Sequence, residues 1–278
     1  MQTNIKKIIE FEGRTYEKSP EKIKLFSRML KDRMYEKVAD AVANIEFLSK
    51  NLVLHGGGAL YLAYDSPRRT FDMDFSFYPR FDKEKIKKIE ECFLKIKPKI
   101  TKKRVDVRIN RISEEEFRIA YYLEIDKALI PTIKVEGKVG KVFLPPKNIM
   151  ISLTGNLQVE QPKELLADKI LAIFGRLNQR GSIKTTDLYD IFYLLQIFVE
   201  KMELSFIKEK LKDQYWRVPE LEKWPKLYNK IVQIVKNSEY KIQSSLRSQL
   251  KKEYFEFLSF DKMLRISIEF IKSLVEQI

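Results

Sequence analysis

Between Leu52 and Phe77 the chain sets a short apolar strand, three glycines, a small-residue helix and a second strand end to end. This order restricts the fold more than any other stretch. From Phe71 to Tyr78 the residues alternate with period two: Phe71, Met73, Phe75 and Phe77 share one face, Asp72, Asp74, Ser76 and Tyr78 the other. A strand with so apolar a back belongs to a sheet whose rear is covered. Leu52 to His55 is the preceding strand, Gly56, Gly57 and Gly58 break it, and a helix is expected from about Ala59 to Tyr64. With only 9 glycines and 10 prolines in 278 residues, three glycines together carry information.

The surrounding patterns extend this reading. Glu21 to about Lys50 is helical, with Ile23, Leu25, Phe26, Leu30, Met34, Val38, Ala41 and Ile45 spaced for one buried stripe. Asp82 to Ile96 reads as a helix, and Arg104 to Asn110, Phe117 to Ile125 and Thr132 to Val139 read as strands rich in Val, Ile and Tyr. Pro145 and Pro146 interrupt regular structure, and from Pro162 onward five or six helical segments follow without a strand. The expected class is α+β: a mixed sheet with flanking helices over residues 1–155, then an all-helical domain over 156–278. The length suits one large or two modest domains, at roughly 100–200 residues each. There is no internal repeat.

Composition excludes several classes. One cysteine, Cys92, rules out an internal disulfide framework or a thiolate zinc cluster, and one histidine, His55, rules out a multi-histidine metal site. His55 itself reads as a structural residue at a strand end. No apolar run of about 18 residues is present, and Met1 to Tyr16 lacks the apolar core of a secretory signal, so a cytoplasmic protein without a membrane span is expected. The 53 basic residues outweigh the 39 acidic ones to give +14, pointing to a polyanionic partner or substrate. Much of the excess lies between Lys83 and Arg111, where 12 basic residues face 4 acidic ones.

The chemistry concentrates where the glycines meet the aspartates. Glycines at a helix N-terminus let backbone N–H groups approach a phosphate, and the helix dipole favours the anion. Asp72 and Asp74, two apart on a strand, project from one face and can hold a divalent ion between them. Carboxylates without His or Cys suit Mg²⁺ or Mn²⁺ over zinc. A phosphate cradle beside a carboxylate-held metal describes phosphoryl or nucleotidyl transfer. The G-x-x-x-x-G-K-[ST] phosphate loop is absent. Further along, Lys163 to Arg176 is a two-faced helix: Leu166, Ile170, Ile173 and Leu177 form the core stripe, while Lys169, Ala172 and Arg176 share another face. Asp187 sits in the first turn of the next helix, with Asp190 one turn on and on the same side. The aromatics beyond Ser205, Trp216, Trp224, Tyr228, Tyr254 and Phe255, are expected in the core.

Gly56-Gly57 followed by Asp72-Met73-Asp74 resembles the first motif of the DNA polymerase β nucleotidyltransferase superfamily. More narrowly, GGGALYL…RRTFDMDF is similar to the AbiEii/AbiGii toxin nucleotidyltransferases of AbiE-type toxin–antitoxin systems, with Arg69 and Thr70 fitting the positions ahead of the aspartates. Gly58 replaces the family's hydroxyl residue. The third carboxylate of the superfamily could be Glu136 or Asp106; Ile133 to Glu136 resembles the second motif, which favours Glu136. The Lys169 helix resembles the third motif, and Thr185 to Ile191 the fourth, with Thr186 in place of Arg. The resemblance implies a nucleotidyltransferase fold and an NTP substrate gripped by Gly56–Gly58, Arg69, Thr70, Lys169 and Arg176. It also implies Mg²⁺ on Asp72, Asp74 and Glu136, with Asp187 or Asp190 as base or orienter for the acceptor hydroxyl. An antitoxin partner and an RNA acceptor, the tRNA 3′ end, are further implications; the basic excess suits RNA. The rival readings are an aminoglycoside-type small-molecule nucleotidyltransferase, against which the positive charge argues, and a non-catalytic RNA-binding protein.

Overall fold

The structure is a computed structural model that describes residues 8–11, 14–17, 20–79, 83–97, 105–112, 116–125, 128–138, 140–151, 155–197, 202–213 and 218–278. In chain order the elements are β1 (Ile8–Phe11), β2 (Arg14–Glu17), α1 (Pro20–Asn44), α2 (Glu46–Asn51), β3 (Leu52–His55), α3 (Gly56–Ala63), β4 (Asp72–Phe77) and α4 (Lys83–Lys95). There follow β5 (Val105–Ile112), β6 (Glu116–Ile125), β7 (Ala128–Lys138), β8 (Lys147–Met150), β9 (Asn156–Val159), α5 (Pro162–Arg180), α6 (Thr185–Ile197) and α7 (Leu204–Asp213). A 3-10 turn (Leu221–Lys223), α8 (Trp224–Gln249), α9 (Lys252–Phe257) and α10 (Phe260–Val275) complete the chain. The α+β class and the helical C-terminal region are as expected. Asp82, Arg104, Val139 and Trp216 lie outside the described residues.

Two compact units interleave in sequence: Met1–Leu52, Phe71–Val139 and Asn148–Leu157 form the first; Val53–Thr70, Gly140–Lys147 and Gln158–Ile278 form the second. In the first, four strands run in the order β5-β6-β7-β4, antiparallel from β5 to β7 and parallel between β7 and β4. The back of β4 is buried, as its alternation demands: Met73, Phe75 and Phe77 are inaccessible. Their partners are aromatic. Phe75 meets Phe93 of α4 at 6.3 Å, Phe93 meets Phe117 of β6 at 5.6 Å, and Phe117 meets Phe77 at 5.9 Å. Gly137 of β7 is where Phe117 needs room, since a Cβ there would overlap its ring. In α1, Leu30, Met34 and Val38 are buried as the stripe predicted. Ala41 is only half-buried and Val42 is inside, and Ile45, extended (φ −93°, ψ 101°) after the helix ends at Asn44, is half-buried.

The second unit pairs β3 with β9 in parallel, Val53 opposite Gln158 and Leu54 opposite Val159. Its α3 starts at Gly56, so the three glycines are the helix's first turn rather than a break before it. Gly56 takes φ 64°, a left-handed conformation that turns the strand into the helix without a Cβ penalty. The helix α5 buries Leu166, Ile170, Ile173 and Leu177, and also Leu165, Leu171 and Phe174, so it is covered on more sides than one stripe provides. Phe174 stacks on Trp224 at 3.9 Å, and the Trp224 indole donates to the Pro219 carbonyl at 3.1 Å. Trp224 is thus core, while Tyr228, Tyr254 and Phe255 are only half-buried. Lys210 of α7, 2% exposed, lies among Asp168 (2.7 Å), Glu164 (3.0 Å) and Glu160 (3.4 Å). Glu164 also accepts from the backbone N–H groups of Phe143 and Leu144. Among the described residues no helix is long and apolar enough to cross a membrane.

Candidate active site

In the first unit, the alternation that buries Met73 and Phe75 turns Asp72 and Asp74 to the opposite face of β4, Asp72 exposed and Asp74 half-buried. Register decides which further carboxylate joins that face. Asp74 stands opposite Glu136 of the parallel strand β7, and Asp72 opposite Lys134. Asp106 lies on β5, beyond β7 and β6, where it pairs with Arg108 at 2.8 Å. Arg118 of β6 holds Glu136 at 3.2 Å and Glu116 at 2.8 Å. The two aspartates fit a hard divalent ion in donor type and in sharing a face. Among the described residues, however, no three carboxylate, His or Cys side chains are gathered as a ligand set. Glu136 would have to loosen from Arg118 to complete one.

In the second unit, the predicted helix residues converge. The Asp190 carboxylate is fully buried and accepts two hydrogen bonds from Arg68, Nε to Oδ1 at 2.6 Å and Nη2 to Oδ2 at 2.9 Å. The ammonium of Lys169 reaches Asp190 at 2.8 Å and Asp187 at 3.4 Å, and Arg176 pairs with the other oxygen of Asp187. Burial pushes the Asp190 carboxyl up, but Arg68 and Lys169 together outweigh it and hold it below the ordinary carboxylate range. Burial likewise works against the charge on Lys169, and Asp190 and Asp187 together hold its ammonium above the ordinary lysine value. A carboxylate clamped by two cations orients those cations far better than it accepts a proton. The geometry therefore suits Asp190 to aligning Arg68 and Lys169 rather than to taking up a proton.

Arg68 is the residue that the sequence reading passed over in favour of its neighbour. Its guanidinium lies over Gly57: a Cβ there would sit 2.5 Å from Nη2 of Arg68 and 3.2 Å from Oγ1 of Thr70. The missing side chain of Gly57 thus makes room for an arginine that crosses to α6. The segment around it is also tied to the C-terminal helices. Arg68 bridges Leu250, the Arg69 N–H donates to Gln249 O (2.9 Å), and the Lys251 N–H donates to Pro67 O (3.1 Å). The Tyr193 hydroxyl donates to the Tyr64 carbonyl, and the Tyr64 hydroxyl to Glu160 O at 2.8 Å. These bonds explain why Val53–Thr70 belongs with the helical unit.

A family model described as "Nucleotidyl transferase AbiEii toxin, Type IV TA system" matches residues 40–262, a span that includes both carboxylate groups. The chain belongs to the AbiEii nucleotidyltransferase toxin family. AbiEii membership makes it a nucleotidyltransferase and the toxin half of a toxin–antitoxin pair, with a nucleotide substrate and a cognate antitoxin. Among solved structures, MenT4, a nucleotidyltransferase toxin from Mycobacterium tuberculosis H37Rv, is similar in fold: 16% identity, TM-score 0.51, 88% of this chain and 84% of that one covered. JHP933 from Helicobacter pylori matches at 18% identity and TM-score 0.47 over 93% of this chain and 95% of that one. No curated protein matches. The four AbiEii-like segments fall on β3–α3 with β4, on β7, on α5 and on α6.

Proposed function

We propose that this AbiEii-family toxin transfers an NMP from an NTP to a hydroxyl of RNA, the tRNA 3′ end, in the cytoplasm and with Mg²⁺ or Mn²⁺. The observation that carries the reading is the pair Asp72 and Asp74 on one face of β4, with Glu136 in register beside Asp74. Asp72, Asp74 and Glu136 would hold the divalent ion, which when bound would supply Lewis acidity at the phosphates. Lys169 and Arg176, aligned by Asp187 and Asp190, bring positive charge to the phosphate tail, and Gly56–Gly58, Arg69 and Thr70 complete the grip. In the transfer, the acceptor oxygen bonds to the α-phosphorus, the bond to the bridging oxygen breaks, pyrophosphate leaves and the hydroxyl proton passes to solvent. The charge of +14 supports a polyanionic acceptor and weighs against a cationic aminoglycoside.

The test is incubation of the protein with each labelled NTP, Mg²⁺ and total RNA. Label on one discrete RNA species, abolished in Asp72→Ala and Asp74→Ala, is the expected result. Transfer that survives both substitutions overturns the assignment of the aspartates. Label on a small molecule, or RNA binding without label, returns the function to one of the rivals. Affinity for tRNA should fall steeply between about 50 and 200 mM salt if phosphate contacts dominate.

A further inference from the structure

The helix α8 is lopsided in charge. It carries Lys226, Lys230, Lys236, Lys241 and Arg247 against the single acid Glu239, a surplus of four, where no other helix among the described residues exceeds two. The helices that follow settle their charges locally: Lys252 pairs with Glu256 on α9, and Lys272 with Glu276 on α10. The five cations of α8 have no carboxylate partner among the described residues.

Helix geometry gathers them on one side. Trp224, Leu227, Ile231, Val235, Ile242 and Leu246 form the buried stripe. At about 100° per residue the five cations fall opposite that stripe, within an arc of about 140°, and Glu239 lies outside it. All five are exposed. In the same arc Tyr240 stands 82% exposed, and Asn229, Gln233, Asn237 and Ser244 are exposed as well. From Lys226 to Arg247 the face runs about 32 Å, the length of roughly nine stacked nucleotides.

The chemistry of this face selects its partner. Exposed cations without anions of their own meet phosphates at no loss of internal pairs, and the counterions they displace favour binding. The amides and the hydroxyl between them donate to phosphate and sugar oxygens. A tyrosine ring standing out of a basic strip is a platform for an unpaired base. A membrane surface calls for an apolar face beside the cations, and this arc holds no aliphatic residue. Protein interfaces are depleted in lysine, which weighs against a protein partner here.

We propose that the outer face of α8 is an RNA-docking surface, with its lysines and Arg247 along the phosphate backbone and Tyr240 stacked on an unpaired base. This deepens the proposed function by giving the RNA acceptor a docking surface apart from the residues that grip the nucleotide, and it rests on that reading for the word acceptor. RNA binding itself can be measured without any transfer.

The experiment is fluorescence anisotropy of the full-length protein with labelled bulk tRNA, as salt rises from about 50 to 200 mM. One variant combines Lys226→Gln, Lys230→Gln, Lys236→Gln and Lys241→Gln. Its control removes the same charge from α4 through Lys85→Gln, Lys87→Gln, Lys88→Gln and Lys95→Gln. The α8 variant should bind at least tenfold more weakly at about 100 mM salt and flatten the slope of log affinity against log salt by about two or more. The α4 variant should change affinity less than threefold. Tyr240→Ala should weaken binding at least fivefold with the slope unchanged, and Tyr240→Phe should restore most of that loss. Circular dichroism establishes that these surface substitutions leave the fold intact.

Wild-type affinity in the folded α8 variant overturns the proposal. Equal loss in the α4 variant does so too, by making net charge alone responsible. Unchanged affinity in Tyr240→Ala overturns the stacking assignment. If the α8 variant loses binding to phosphatidylglycerol vesicles and keeps tRNA, the face belongs to a membrane surface and the RNA assignment falls. If RNA is labelled with an unaltered KM for RNA in the α8 variant, the docking surface fails and the transferase reading stands. If tRNA binding depends on α8 but no NTP labels RNA, the docking surface stands and the transfer reading falls.

Discussion

The two units handle their carboxylates in opposite ways. On the first, Asp72 is exposed, Asp74 half-buried, and Glu136 and Asp106 are held by partly exposed arginines on neighbouring positions. On the second, Asp187 and Asp190 are sealed from solvent and locked to cations from α5 and from the segment ahead of β4. A surface carboxylate keeps its hydration, so it can exchange water for a metal ion at small cost to the fold. A sealed one has lost its water and depends on its partners for that compensation. Chemistry that must take up and release an ion is therefore suited to the first arrangement, and alignment of fixed charges to the second.

The largest expected effect that would break this contrast is on stability. Asp190→Ala leaves Arg68 buried without its paired anion and Lys169 with Asp187 alone, and should cost about 3–5 kcal/mol in urea unfolding. Asp72→Ala, at an exposed position, should stay within about 0.5 kcal/mol. Equal losses would erase the distinction between the units. Next comes Gly57→Ala, which pushes a methyl group into the Arg68 guanidinium. A loss of about 1–3 kcal/mol is expected from the crowding, read as a lower urea midpoint.

A smaller effect sharpens the contrast through pH. Burial raises the Asp190 carboxyl but Arg68 and Lys169 outweigh it, so its folded value lies below 3.8. Its stabilisation is complete above that ordinary value and drains away as pH falls through the lower one. Glu160 has the opposite sign. Burial first, then Asp168, raise it well above 4.5 despite Lys210, so its contribution is complete below 4.5 and is lost as pH rises through the folded value. Glu160→Gln should therefore gain on wild type as pH rises above 4.5, measured as the difference in unfolding midpoint. A difference that shrinks over that range contradicts the sign. The smallest effect belongs to the surface pairs: Arg108→Ala, whose partner Asp106 is also solvent-accessible, should change stability by less than about 1 kcal/mol.

Where side-chain period follows element type, the sequence carried the structure. The alternation at 71–78 placed the back of β4, the stripe of α5 was buried at all four positions, and β3 spans the expected residues. The misses lacked a local signal. β1, β2, β8 and β9 have four residues each, and unlike the equally short β3 none runs into a cluster of glycines that marks its end. Arg68 and Arg69 are adjacent in a segment without regular structure, so no periodicity shows which one turns inward. Lys210 sits between Lys208 and Lys212 with nothing in the sequence to set it apart from them, and only the folded chain reveals the three acids around it. The pairing of Asp74 with Glu136 is a matter of register, set between positions 62 residues apart in the chain.

The stitching of Pro67–Arg69 to Gln249–Lys251 makes the last thirty residues more than a tail. A chain cut ahead of Gln249 would retain every motif of the family and still lose the clasp on the segment that delivers Arg68 to Asp190. Prying α9 and α10 loose offers a way of silencing this toxin that touches none of its reactive groups.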